Sequence, residues 1–246
     1  MIDETIAEIR DMQTHSSSVV AVKATRALSE LLDRDHATVE EFERDLERNA
    51  GALKRANPSH ASLFNAMQTV LVNVVDRKDS VAESKALLEQ VTDRVVEDVR
   101  QGKSRAARQA APTFEHGGTF LTHDFSSTVL EAIERAVGDG ADLTADVTEA
   151  QPRFLGRKCA RRLAERDGVE PHLLVDGAAG TFRAECDRVV IGMDCIVDDT
   201  LYNRVGTFPI VATAAHLDVP VTVVGSAAKI VDSGFAFENE LRPPGE

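Results

Sequence analysis

Apolar residues recur at three- and four-residue spacing through the first 110 residues of the chain, the pattern of helices that bury one face. It predicts helices over residues 5–12, 19–34, 38–56, 60–75 and 81–102. Asn57-Pro58-Ser59 and Asp79-Ser80 break the pattern, and Ser80 is placed to cap the helix that follows. The expectation for residues 1–110 is a helical domain. Beyond it the pattern changes. Short apolar runs of β type (TFLTH, LTADVTE, HLLVD, RVVIGMDCIV and VPVTVVG) alternate with helical segments (STVLEAIERAVG, GRKCARRLAERDG, AAGTFRAECD and TFPIVATAAHL). Strands separated by helices of this length imply a parallel, Rossmann-like sheet covered on both faces. Residues 111–246 are therefore expected to form an α/β domain, with the stretch 101–118 (QGKSRAARQAAPTFEHGG) as the joint.

In such sheets ligands gather at the carboxyl ends of the strands. The positions of interest are then 122–127, 149–152, 176–180 and Asp194. The stretch 148–169 adds a local anomaly, because it carries five arginines and one lysine inside a chain of net charge −13. If the loop 149–152 ends a strand, the next helix points its N-terminus at the cleft. Gly156, Arg157 and Lys158 then lie nearest a bound anion, while Arg161, Arg162 and Arg166 lie beyond its reach. The competing reading is a solvated basic face that relieves self-repulsion in an acidic chain.

Composition narrows the function classes. The 246 residues are 43% hydrophobic, enough to bury a core and to form one large or two modest domains. Acidic residues outnumber basic ones 41 to 28, only 7 of the 28 are lysines, and tryptophan is absent. Acid excess with scarce lysine resembles adaptation to high salt, where screening tames the repulsion. It argues against non-specific nucleic-acid binding, which needs a basic footprint. No apolar run approaches the roughly 18 residues that cross a bilayer. The charged, helix-like MIDETIAEIR is no signal peptide. Cys159, Cys186 and Cys195 are odd in number and lack metal-ligand spacing, so they are expected as reduced, buried thiols of a cytoplasmic protein, with no metal and no cofactor.

The blocks FLTHDFSSTVLEAI, VTEAQPRFLGRKCARRL, VDGAAG, IGMDCIV and YNRVGTFPIVATAAHLDVPVTVV, in this order, resemble the alpha/beta/delta subunit family of translation initiation factor 2B. That family shares its fold with methylthioribose-1-phosphate isomerase and archaeal ribose-1,5-bisphosphate isomerase. The resemblance makes residues 149–152 the family's Glu-x-x-Pro loop, with Gly156 starting a helix close against the sheet. It extends to the N-terminal half, where MQTHSSSVVAVKATRALSELL looks like the start of the initiation-factor subunits. The isomerases instead place an Arg-Gly pair where His15-Ser16 stand and use that arginine on a substrate phosphate.

The resemblance also implies site residues. In the isomerases a cysteine after the Thr-His of the first strand and an aspartate after Ile-Gly-x exchange protons with the sugar. Here Thr122-His123 is followed by Asp124 in the cysteine position, and Asp194 keeps the aspartate. A carboxylic acid can replace a thiol as acid or base if apolar surroundings raise its pKa, and two facing carboxylates can share a proton. The competing reading is that Asp124 merely caps the helix that follows. The family's Asn-Lys is Asn203-Arg204, Gln151 stands where the isomerases tend to have arginine, and the loop VDDTLYN is about one residue short. A phosphate site would use Asn203, Arg204, Lys229 and the backbone N–H groups near residues 177–180. An exposed, uninvolved Lys229 is the alternative.

These departures point to a non-catalytic regulatory or binding protein of the initiation-factor 2B type, holding a phosphorylated sugar or a nucleotide. The resemblance implies a homodimer or larger homo-oligomer and contact with translation initiation factor 2. The alternative is a sugar-1-phosphate aldose–ketose isomerase that uses Asp124 and Asp194. The candidate ligand-binding residues are Thr122, His123, Glu149, Gln151, Gly156, Arg157, Lys158, Asn203, Arg204 and Lys229.

Overall fold

A computed structural model describes residues 1–11, 17–114, 117–180, 186–232 and 234–235. The chain divides into two compact units, one formed by Met1–Gly102 with the segment that begins at Ala228, the other by Lys103–Ala227.

The first unit is helical: α1 (Ile2–Arg10), α2 (Ser17–Ala27) running into a 3-10 turn (Leu28–Leu32), α3 (Val39–Ala56), α4 (Ala61–Val74) and the first part of α5 (Val81–Ala110). Phe42, Leu46, Ala50 and Leu53, spaced by three and four along α3, are buried with Leu28, Leu63, Met67 and Leu88 in one core. Thr38 caps α3 by accepting from Glu41 N–H, and Glu41 reaches back to Ala37 N–H at 2.7 Å. Ser80 does the same for α5, accepting from Glu83 N–H at 3.3 Å. Asn65 ties α4 to the segment after residue 227 by donating to the carbonyls of Ala228 and Ile230.

Helix α5 does not stop at Gly102 but continues to Ala110, through half of the expected joint. A glycine inside a helix costs only about 1 kcal/mol, and the segment KSRAARQA beyond it contains mostly good helix formers.

In the second unit a sheet of five parallel strands has the order β3-β2-β1-β4-β7. The strands are β1 (Thr119–His123), β2 (Leu143–Thr148), β3 (Val169–Leu174), β4 (Arg188–Ile191) and β7 (Val221–Val223). Between β4 and β7 lies a small antiparallel pair, β5 (Cys195–Val197) and β6 (Thr200–Tyr202). Phe120, Ala145, Val147 and Val190 are buried with α6 (Ser127–Gly138) and α7 (Leu155–Ala164) on one face. Leu121, Val189 and Ile191 are buried with α8 (Thr207–His216) on the other. Both faces are covered at β1 and β4, whose residues form short apolar runs. Along β2 and β3 the residues of one face, Thr144, Asp146, Glu170 and His172, are not buried, and these strands alternate.

The run 188–197 is not one strand. It breaks at Gly192, whose absent Cβ makes room for Ser126: a Cβ there would lie 2.7 Å from the Ser126 Cβ and Oγ. What looked like a loop, VDDTLYN, is the turn and second strand of a hairpin. Asp198 and Asp199 have φ of 46° and 61°, the pair of positive values that a two-residue hairpin turn demands, and aspartate tolerates them better than most residues. Of the helical segment expected at 178–187, residues 178–180 belong to a 3-10 turn, Asp176–Gly180, and 181–185 lie outside the described residues. Among the described residues no helix is long and apolar enough to cross a membrane.

Candidate functional site

The strand order reverses between β1 and β4: the chain builds outward from β1 through β2 to β3, then crosses to the other side of β1 for β4 and β7. At such a switch point the connections from two neighbouring strands leave to opposite faces of the sheet, here towards α6 and α8, and open a crevice at the strand ends. Asp124 follows β1 and Asp194 follows β4, so the two carboxylates come from the two sides of that crevice.

Asp124 adopts a left-handed backbone (φ 66°) that turns the chain sharply at the strand's end. Its side chain is only 10% exposed. Oδ2 pairs with Arg204 Nε at 3.1 Å, whereas Oδ1 is buried with no hydrogen-bond partner. The same guanidinium places Nη2 3.6 Å from Asp194 Oδ1. The hairpin brings Arg204 to this place: Asp194 N–H donates to the Tyr202 carbonyl at 3.0 Å, closing the β5–β6 pair two residues before the arginine. One guanidinium thus spans both carboxylates. Asp124 is not the cap of α6; the Ser126 hydroxyl is, accepting from Val129 N–H at 3.3 Å. That leaves the Asp124 carboxylate available for other work.

Thr122 and His123 are buried at the end of β1. His123 Nδ1 lies 2.6 Å from Thr148 Oγ1, at the end of β2, and Nε2 lies 2.7 Å from the carbonyl of Val205. Asn203 donates from Nδ2 to Thr207 Oγ1 at 3.1 Å, bracing the entry to α8. Lys229 belongs to the first compact unit, where it ends a 3-10 turn.

A second cluster stands at the end of β2. The Glu149 carboxylate accepts from Arg157 Nε and Nη2 at 3.1 and 2.7 Å and from Gln151 Nε2 at 2.8 Å. Arg157, then Gln151, hold its pKa below the ordinary glutamate range. The Arg157 guanidinium also lies 4.0 Å from the Phe154 ring centroid, and Lys158 Nζ lies 4.5 Å from that of Phe125. Asp176 holds the loop by accepting from Ala150 N–H and Gln151 N–H at 2.8 and 2.7 Å. Gly156 lets α7 start against the sheet, for a Cβ there would lie 1.8 Å from the Thr148 carbonyl oxygen. Below the crevice the Cys159 thiol is pushed up to about 12 by burial and, secondarily, by the charge of Asp124. Cys195 is also buried, but Cys186 is only half-buried, contrary to the expectation of three buried thiols. Among the described residues no group of three His, Cys, Asp or Glu side chains could hold a metal ion.

The ranges 122–127 and 176–180 take in Ser126 and Asp176 without giving either a role, and Thr148 lies outside the positions of interest. Ser126 stands three residues before Val129 at a helix start, which is a legible cap signal; the partners of Thr148 and Asp176 depend on strand register and are not local.

A family model described as the Initiation factor 2 subunit family matches residues 13–246. The chain is 32% identical over 243 residues to a protein of Haloterrigena turkmenica named ribose 1,5-bisphosphate isomerase, covering 97% of this chain and 73% of that one. A protein of the same name from Haloferax volcanii is 29% identical over 255 residues, covering 100% and 76%. Among solved structures, a translation initiation factor eIF-2B of Pyrococcus horikoshii superposes with a TM-score of 0.76 at 23% identity, covering 93% of this chain and 79% of that one, which supports the fold. The expectation of a non-catalytic regulator is corrected by these relatives, whose isomerase name extends over nearly the whole chain. The physical reason is on the crevice floor. Asp124, at the position the resemblance gives to a cysteine, sets a carboxylate with a buried, partnerless oxygen there.

Proposed function

The chain belongs to the Initiation factor 2 subunit family, and from that premise we propose that it is an aldose–ketose isomerase acting on a sugar 1-phosphate of the ribose 1,5-bisphosphate kind. Converting a ring-form aldose 1-phosphate to its ketose breaks the bond between C1 and the ring oxygen. The ring oxygen gains a proton, the C2 hydroxyl loses one, and the C2 hydrogen moves to C1. The reaction therefore asks for one group that delivers a proton and one that accepts it, both within hydrogen-bond reach of one sugar ring. Asp124 and Asp194 are the candidates. The observation that carries the reading is their placement on opposite sides of the switch point, joined by Arg204, with Asp124 Oδ1 unsatisfied. A buried acceptor without a donor is costly, and a substrate hydroxyl would satisfy it. Arg204, Arg157 and Lys158 supply the positive charge that a phosphorylated sugar needs in an acidic chain, and Asn203, Gln151 and the N-terminus of α7 add donors.

The test is incubation with ribose 1,5-bisphosphate, in molar salt because the acid excess supports work at high ionic strength. Ribulose 1,5-bisphosphate is followed by phosphorus NMR. Turnover is expected, and Asp124→Asn and Asp194→Asn should each lower kcat by about 10²–10⁴-fold, the usual worth of a positioned acid or base. Absence of turnover by the wild-type protein, or turnover untouched by both substitutions, would sink the reading.

A further inference from the structure

We propose that His123 is the positioning residue of this crevice: as its Nε2–H tautomer it pins the turn that carries Arg204 to the end of β1. The kinetic consequence rests on the isomerase reading, while the geometry does not. A carbonyl oxygen can only accept, so the 2.7 Å contact between Nε2 and the Val205 carbonyl puts the proton on Nε2. In the neutral ring Nδ1 is then an acceptor, and the Thr148 hydroxyl, 2.6 Å away, is the donor that meets it. The next acceptor open to that hydroxyl, the Thr122 carbonyl, is farther away at 3.4 Å. Both ring nitrogens are spoken for, and only 2% of the residue is exposed.

The ring is also packed to shape. Gly206 has φ 101°, and a Cβ there would lie 2.7 Å from the His123 Cε1 and Nε2 atoms. The turn closes on itself through Thr207 N–H donating to the Arg204 carbonyl at 3.1 Å. Segments 123–124 and 204–205 are thus joined by two adjacent rungs: His123 to the Val205 carbonyl, and Asp124 to the Arg204 guanidinium at 3.1 Å. Arg204 is half-exposed and long, so its side chain gains little order from packing. The buried rung fixes the backbone from which it starts, and with it the point where the guanidinium meets Asp124 and Asp194. His123 is therefore assigned no proton transfer with substrate.

Three substitutions separate these roles. A glutamine amide nitrogen reaches where Nε2 stands and keeps the donor to Val205; an asparagine amide reaches only the Nδ1 position. His123→Asn and His123→Ala should lower kcat/KM about a hundredfold, the scale of an ångström's misplacement in a site. His123→Gln should stay within about tenfold of wild type, and all active variants should keep the limbs of the wild-type pH profile. On the wild-type protein, two-bond ¹H–¹⁵N correlations of the neutral ring should show the proton on Nε2, a measurement that needs no substrate and no variant that folds. A proton on Nδ1, equal losses in His123→Gln and His123→Asn, or a pH limb lost in His123→Gln would each overturn the assignment. Wild-type protein without turnover would sink the isomerase reading and leave the NMR measurement to decide this one.

Discussion

Replacing Gly156 by alanine tests how tightly the basic helix is seated on the sheet. Its Cβ would stand 1.8 Å from the Thr148 carbonyl oxygen, 2.8 Å from the Thr148 carbonyl carbon and 2.9 Å from the Glu149 carbonyl carbon. All three are backbone atoms at the end of a central strand, so no rotamer change relieves the clash. The start of α7 must retreat by about 1.2 Å before the worst contact reaches 3.0 Å. That retreat loosens Cys159 and Leu163, which α7 buries in the core, and stretches the bond from Gly156 N–H to the Glu149 carbonyl, now 3.1 Å. Overpacking costs about 1–3 kcal/mol, and a Cβ pressed onto backbone atoms sits at the upper end of that range. About 3 kcal/mol corresponds to a fall in Tm of about 6–12 °C for a chain of this size. Scanning calorimetry in molar salt reads the shift. Gly138→Ala is the control: it ends α6, a Cβ there meets nothing within 4 Å, and alanine should be neutral or stabilising by up to about 1 kcal/mol. A Gly156→Ala protein melting within about 2 °C of wild type would refute the close seating, and with it the account of why the first turn of α7 reaches the crevice.

Two further outcomes follow from the titrating groups. Because the Glu149 pKa is lowered in the folded protein, chiefly by Arg157, its stabilisation is present above the unfolded pKa of about 4.3 and lost as pH falls below it. The Tm gap between wild type and Arg157→Ala should therefore narrow on acidification through that range, and a gap that widens would contradict the pairing. The Cys159 thiol, raised to about 12, has the opposite sign: burying it neutral stabilises the fold below the unfolded thiol's pKa of about 8.5, and that contribution is lost as pH rises towards 12. At pH about 8, thiol labelling read by mass spectrometry should modify half-buried Cys186 before Cys159, with Cys159 reacting only on unfolding; early labelling of Cys159 would refute its burial.

Much of the second unit is legible in the chain because strands covered on both faces, β1 and β4, leave short apolar runs between helices, and Phe120, Leu121, Val189 and Val190 belong to such runs. The length of α5 is less legible, since Gly102 resembles a stop and only the continuing helix formers contradict it. The β5–β6 hairpin is hidden for a different reason. Its strands have three residues each, and its turn relies on two aspartates in left-handed backbone rather than on glycine. That hairpin carries Arg204 back to the strand ends, so the ion pairs with Asp124 and Asp194 cannot be inferred from spacing along the chain.

On the proposed isomerase reading, the same hairpin explains why matching position by position undervalues Asp124. Compared with a cysteine, an aspartate is a different atom set, and the substitution scores as the loss of a catalytic group. What an aldose–ketose isomerisation requires is narrower than residue identity: two groups able to exchange a proton, facing one ring, in a place where they need not compete with each other. A short side chain at the end of β1 can meet the first condition as a carboxylate if something of opposite charge offsets Asp194 opposite it. Arg204 is that group, contacting both carboxylates while leaving Asp124 Oδ1 without a partner. Guanidinium suits this double contact better than ammonium, because its planar fork reaches two acceptors at once whereas lysine presents a point charge. The changes at positions 124 and 204 thus form one electrostatic unit, and removing the guanidinium alone would set two carboxylates against each other across the crevice.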